Sequence, residues 1–243
     1  MSLQDVVIPS SQTPLQGCLA LPDGPGPHPG VVVIHEIYGL NDNIRDITGR
    51  LAVEGYASLA VDLFSGRNRT LCMARLMAGS LTGRSAHVVS ELRAGADFLT
   101  ARPEVDAQRI GVVGFCMGGG LAITWGCRDQ RLRAIAPFYG TNPRPLAAAR
   151  RLCPVVGSYP GKDFTARSGR KLDARLETYG IVHDIKVYPG RGTRSSTTRA
   201  RPTTPRHRPT PGSASSRFSP STCALSGPPP RRNPPRKLLS KAS

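Results

Sequence analysis

Arg109-Ile-Gly-Val-Val-Gly114-Phe115-Cys116-Met117-Gly118-Gly119-Gly120 decides how this 243-residue chain folds. Its first half, Arg109 to Gly114, is a short β-branched run of the kind that suits a strand buried on both faces of a parallel sheet. Gly118 to Trp125 then begins a helix. Between them the chain must turn abruptly while presenting one side chain, Cys116, above the sheet. Small residues at 114 and 118 relieve the crowding of such a turn. A thiol at the helix N-terminus meets free N–H groups and the positive end of the dipole, which favour the thiolate. Most single cysteines are buried and inert, but the strand–turn–helix setting predicts a nucleophile here. The other five, Cys18, Cys72, Cys127, Cys153 and Cys223, lie in no such setting.

Outward from this stretch the alternation repeats. Asp5 to Leu21 reads as a short strand or hairpin, ended by Pro22-Asp-Gly-Pro-Gly-Pro-His-Pro29. Gly30 to Ile34 is a second buried-strand run, and Ile44, Ile47, Leu51 and Ala52 recur at helical spacing. A strand is expected over Tyr56–Val61 and a helix over Ala86–Ala101, with Val89, Leu92, Ala96 and Leu99 on one face. Ala134–Tyr139 and Cys153–Gly157 repeat the strand signal, Ala166–Tyr179 fits a helix, and His183–Tyr188 a last strand. Strands alternating with helices predict an α/β fold: a mostly parallel sheet with helices on both faces.

The pattern stops after Gly190. All 16 acidic residues precede position 191, whereas the last 53 residues carry +12 of the +17 net charge, with 10 Pro and 17 Ser or Thr. Such a segment buries too little apolar surface to offset its ordering entropy, so residues 1–190 are expected to form the domain and 191–243 a disordered tail. The basicity belongs to that tail and could hold polyanions without sequence choice. The scattered cysteines, the absence of a signal-peptide pattern and the short apolar runs point to a cytoplasmic protein without a membrane segment. No cofactor motif, phosphate loop or metal-ligand cluster appears, so no cofactor, metal or specific nucleic-acid partner is expected. Oligomeric state is not readable.

Two further positions fit the chain order nucleophile, acid, histidine. Asp163 follows the strand at Val155-Val156, at the carboxyl end of the sheet where sites lie; its ordinary role would be a turn or helix cap. His35-Glu36-Ile37-Tyr38-Gly39 follows Ile34 directly, and a carboxylate at a buried strand's end needs a partner. Together His35-Glu-Ile-Tyr-Gly-Leu, Asp62-Leu-Phe, Gly114-Phe-Cys-Met-Gly-Gly-Gly and Gly157-Ser-Tyr-Pro-Gly-Lys-Asp163 resemble the motifs of dienelactone hydrolase (carboxymethylenebutenolidase), in that family's order, over about residues 5 to 190. The resemblance implies an α/β-hydrolase fold and the opening of a lactone, or cleavage of an ester, to the acid. It implies Cys116 as nucleophile, Asp163 as the residue orienting a histidine, and Glu36 as the contact that helps the thiol ionise. The N–H groups of Ile37 and Met117 would hold the oxyanion.

One departure stands out. The family's last strand runs into Tyr-Pro-Gly-x-Gly-His, whose histidine is the base; here Tyr188-Pro189-Gly190-Arg191-Gly192-Thr193 puts threonine there. The family's final helix is missing too, so the fold is expected to be incomplete at the C-terminus. The abrupt change of composition suggests a frameshift near codon 191. His28, His35, His87, His183 and His207 offer no convincing substitute, and Arg69 and Arg75 read as surface arginines rather than an anchor for an acidic substrate. An impaired hydrolase is therefore the leading expectation. A basic-tailed polyanion binder or a non-catalytic degenerate hydrolase is the alternative.

Overall fold

Repeated short apolar runs need partners on both sides, and the sheet supplies them. The computed structural model describes residues 2–10, 13–82 and 85–190; the expectations for the tail, Thr193 and His207 lie outside these. The strands are β1 Ser2–Ile8, β2 Leu15–Leu21, β3 His28–Ile34, β4 Ala57–Asp62, β5 Val105–Phe115, β6 Leu132–Phe138, β7 Val155–Pro160 and β8 His183–Tyr188. The helices are α1 Asp42–Val53, α2 Arg69–Thr82, α3 Ala86–Thr100, α4 Met117–Gly126 and α5 Thr165–Thr178, with a 3-10 turn at Leu146–Arg151. The sheet order is β1-β2-β4-β3-β5-β6-β7-β8. β2 runs antiparallel to both β1 and β4, and every later pairing is parallel. Among the described residues no helix is long and apolar enough to cross a membrane.

β3 lies between β4 and β5, where the winding reverses, the place at the carboxyl ends of the strands where sites of open α/β sheets lie. The two faces of the sheet are covered unequally. Val32, Ile34, Leu59, Val61 and Val112 pack with side chains of α3, α4 and α5 in the larger core. On the other face Val31, Val33, Ala60 and Val113 meet Ile44, Ile47 and Leu51 of α1. α1 is fixed there by Asn41, whose side chain accepts the Ile44 N–H at 3.0 Å, and by Ser58 Oγ of β4, which donates to Thr48 O at 2.7 Å. Among the described residues this second cluster takes side chains from no other helix, and Phe115, Ala136 and Phe138 at its edge are only partly buried.

Several boundaries differ from expectation. β5 begins at Val105 rather than Arg109, because His28 and Pro29 pair with Val105 and Asp106 before a register shift. His28 accordingly opens β3 instead of sitting in a turn. α2 was not foreseen; its apolar residues Cys72, Met73 and Leu76 touch the core without a clear helical stripe. β6 stops at Phe138, since Tyr139 leaves the strand with φ +42°.

Candidate active site

β5 delivers Cys116 at a break in the backbone. Its φ of 55° and ψ of −114° lie where a residue with a Cβ is strained. The conformation is enforced by its surroundings: the Cys116 N–H donates to Phe138 O at 2.9 Å, and its carbonyl accepts the Gly120 N–H at 3.2 Å. A Cβ on Gly114 would stand 2.1 Å from Gly118 O, and one on Gly118 would stand 2.3 Å from Ile34 O. Both positions need glycine so that the first turn of α4 can sit against the end of β3.

That close approach brings the loop after β3 beside the thiol. Glu36 is buried, 5% exposed. Its Oε1 accepts the Tyr139 hydroxyl at 2.6 Å, and its Oε2 is buried without a hydrogen-bond partner. His35, fully buried, donates from Nδ1 to Glu36 O at 2.5 Å and accepts the Leu63 N–H on Nε2 at 3.0 Å. With both nitrogens engaged, His35 pins the backbone of Glu36 and leaves no free nitrogen for a thiol proton.

Asp163 follows β7, as expected, and is half-buried. Its Oδ1 accepts the Thr165 N–H at 2.9 Å and its carbonyl accepts the Ala166 N–H at 3.0 Å, so it also serves the ordinary role of turn and cap at the start of α5. The carboxylates of Asp163 and Glu36 both act on the Cys116 thiol. Burial first, and then these two negative charges, push the thiol above its ordinary value of 9.0, while the Met117 N–H works in the opposite direction. The thiolate favoured by the helix terminus is therefore not the resting form. Helix-end donors lose to desolvation and two carboxylates.

The Dienelactone hydrolase family matches residues 15–194 of the chain. The chain belongs to the dienelactone hydrolase family. A Synechocystis sp. protein carrying the name carboxymethylenebutenolidase is 29% identical over 204 residues, covering 76% of this chain and 82% of its own length. A namesake from Saccharolobus solfataricus is 30% identical over 224 residues, covering 77% and 86%. A crystal structure from Klebsiella pneumoniae named as a dienelactone hydrolase aligns with a TM-score of 0.69 at 28% identity, covering 78% of this chain and 85% of that one. The Pyrococcus horikoshii acylaminoacyl peptidase, 16% identical with a TM-score of 0.64 over 77% of this chain and 37% of its own, shares the α/β-hydrolase fold alone. Membership in the dienelactone hydrolase family places the chain among hydrolases of the carboxylic-ester and lactone type.

In this dienelactone hydrolase-family chain the structure gathers Cys116, Glu36, Asp163, Ile37 and the Met117 amide at one end of the sheet. His183 and His87 lie elsewhere. His183 opens β8 and faces Asp173 at 3.3 Å, and His87 lies on α3, 3.8 Å from Glu91. Arg69 is exposed, donates to Ile37 O at 3.0 Å and lies over the Phe64 ring, which makes it a brace for the loop after β3. Among the described residues no three His, Cys, Asp or Glu side chains converge to hold a metal. A cavity of about 800 Å³ lies away from this chemistry, lined by Arg93, Trp125, Asp129 and Arg131. Tyr139 was missed in the sequence. An aromatic leaving a strand's carboxyl end beside the elbow was the available signal, but its partner is 103 residues away.

Proposed function

We propose that this chain hydrolyses a lactone or carboxylic ester through Cys116. The observation that carries the reading is the strained Cys116 at the strand-to-helix turn, with glycine required on either side. The thiol passes its proton to Glu36, and the thiolate attacks the substrate carbonyl. The N–H groups of Ile37 and Met117 take the oxyanion. Collapse breaks the ester C–O bond, leaving a thioester on Cys116, while the released alkoxide takes back the proton. Water then cleaves the thioester, yielding the acid and restoring the thiol.

Asp163 is the residue that would orient a histidine, and Thr193 stands where the resemblance places that base. Without it, activation of water is the weak step, so turnover is slow and the thioester accumulates. Losing one member of such a triad costs roughly four to six orders of magnitude. This reading assigns the hydrolase to residues 1–190 and leaves 191–243 outside the chemistry. The test is a rapid-mixing assay on an activated aryl ester and on a dienelactone-type substrate. The wild type should release product in a burst of about one equivalent, and Cys116→Ala should release none. Hydrolysis unaffected by Cys116→Ala would overturn the reading.

A further inference from the structure

Glu36 presents a problem that a buried carboxylate must solve. It is 5% exposed, and the structure gives it one hydrogen-bond donor among the described residues, the Tyr139 phenol at 2.6 Å. Its second oxygen is buried with no partner. A charge taken out of water without donors is expensive and tends to be neutralised.

Tyr139 is itself held in an unusual way to make this contact. Among the described residues it is one of three non-glycine residues with positive φ, at 42°, a second being Cys116 at 55°. Its N–H donates to Ser158 O on β7 at 2.8 Å, while the preceding residue, Phe138, accepts the Cys116 N–H at 2.9 Å. The strained turn that ends β6 therefore connects the nucleophile's backbone to the ring that reaches Glu36. Burial, and then the Glu36 carboxylate, push the phenol far above its ordinary value of 10.0, so it remains a donor at any working pH.

We propose that Tyr139 is a positioning residue: its phenol occupies Glu36 Oε1, fixes the carboxylate, and leaves Oε2 bare as the acceptor of the Cys116 proton. The inference rests on Cys116 being the nucleophile. The charged groups around the pair are known from each neighbouring element. Asp163 lies after β7, and His35 and Asp62, 3.5 Å apart, lie behind the Glu36 backbone. Arg69 braces Ile37 O. None of these supplies a hydrogen to the Glu36 carboxylate among the described contacts.

The consequence is a pair of opposite effects. With phenylalanine at 139 the carboxylate loses the donor that fixes it and is free to turn away from the thiol. It then ceases to repel the Cys116 thiolate, and it can no longer receive the thiol proton during turnover. Tyr139→Phe in the full chain should raise the iodoacetamide alkylation rate of Cys116 at neutral pH by roughly three- to tenfold, with the pH profile moved to lower pH. The burst rate on the aryl ester should fall at least about tenfold. Glu36→Gln removes the charge and retains an acceptor for the phenol, and it should raise alkylation similarly. Adding Tyr139→Phe to Glu36→Gln should then change alkylation no further.

A merely structural Tyr139 would move neither profile, or would slow both reactions together, and either result overturns the proposal. Additive effects in the double variant would also overturn it. Should Tyr139→Phe not fold, unchanged alkylation in Glu36→Gln refutes the link from the other side. Alkylation needs no turnover. Failure of the hydrolase reading, seen as indifference of ester cleavage to Cys116→Ala, is therefore distinguishable from failure here.

Discussion

Cys116 stands where two opposed influences meet. The Met117 N–H stabilises its thiolate, while burial and the charges of Glu36 and Asp163 stabilise the thiol, and the second group prevails. A thiol that rests protonated is less exposed to oxidation than a thiolate. The sign of the shift gives a direct prediction. Because the thiol lies above 9.0, alkylation of Cys116 in the folded wild type should climb steadily with pH through the neutral range and level off only beyond 9.0. Cys127, buried in the core and pushed up to about 11, should lag behind it throughout. Peptide mapping after timed labelling reads both sites. Faster labelling at Cys127, or a Cys116 profile that is already flat at pH 7, would contradict this balance.

At the scale of elements, the elbow depends on α4 being held firmly at both ends. Its N-terminal turn is seated on β3 by the close approach at Gly118. Its C-terminal end is held by Asp129, which is 6% exposed. Asp129 Oδ2 accepts the Trp125 indole N–H at 3.0 Å and the Arg93 Nε of α3 at 3.0 Å, and Arg131, just before β6, adds a further donor at 2.9 Å. Burial alone would raise this carboxyl; the arginines and the indole overcome it and hold it far below its ordinary 3.8. A depressed carboxylate contributes stability above its unfolded value and loses it as the pH falls through the lower folded one. The fold should therefore keep this contribution at pH 5 to 7 and lose it progressively below about pH 4. Asp129→Asn should cost about 2 kcal/mol at pH 7, and the penalty should shrink in strong acid. Urea titrations at pH 7 and pH 3 measure both numbers; an equal penalty at the two pH values would rule out the ionic account.

Over the whole molecule, the described residues pack more side chains on one face of the sheet than on the other. α1 serves β2, β3 and β4 on its face, leaving Phe115, Ala136 and Phe138 only partly buried beside the elbow. The strained turn at Cys116 thus lies beside these partly buried side chains. We expect Thr193→His alone to raise ester turnover less than about tenfold, since a histidine must be held in place to act as a base. Residues 1–190 joined to a family-like Gly-x-Gly-His ending with an amphipathic helix should recover about a thousandfold or more. Steady-state assays of the two variants decide it, and equal recovery by Thr193→His would show that the helix is not needed to place the base.

Short β-branched runs such as Val31–Ile34 and Ile110–Val113 announce strands buried on both faces, and the glycines around Cys116 announce a forced turn. These are local properties, so the α/β class, the elbow, and the positions of Asp163 and Glu36 at strand ends were legible from the chain alone. Other features arise only when distant segments meet. The first residues of β5 carry no strand signal of their own and join it by pairing with His28 and Pro29. Asp163 reads as an acid or a cap, and the fold uses its Oδ1 as a cap while keeping its charge near the thiol. Desolvation and the charges of Glu36 and Asp163, which outweigh the helix end at the thiol, exist only once three loops converge. The contact of Tyr139 with Glu36 joins residues 103 positions apart through a strained turn. Local sequence specifies periodicity and backbone freedom, whereas burial and charge proximity are properties of the assembled sheet, and those decided how the site is set.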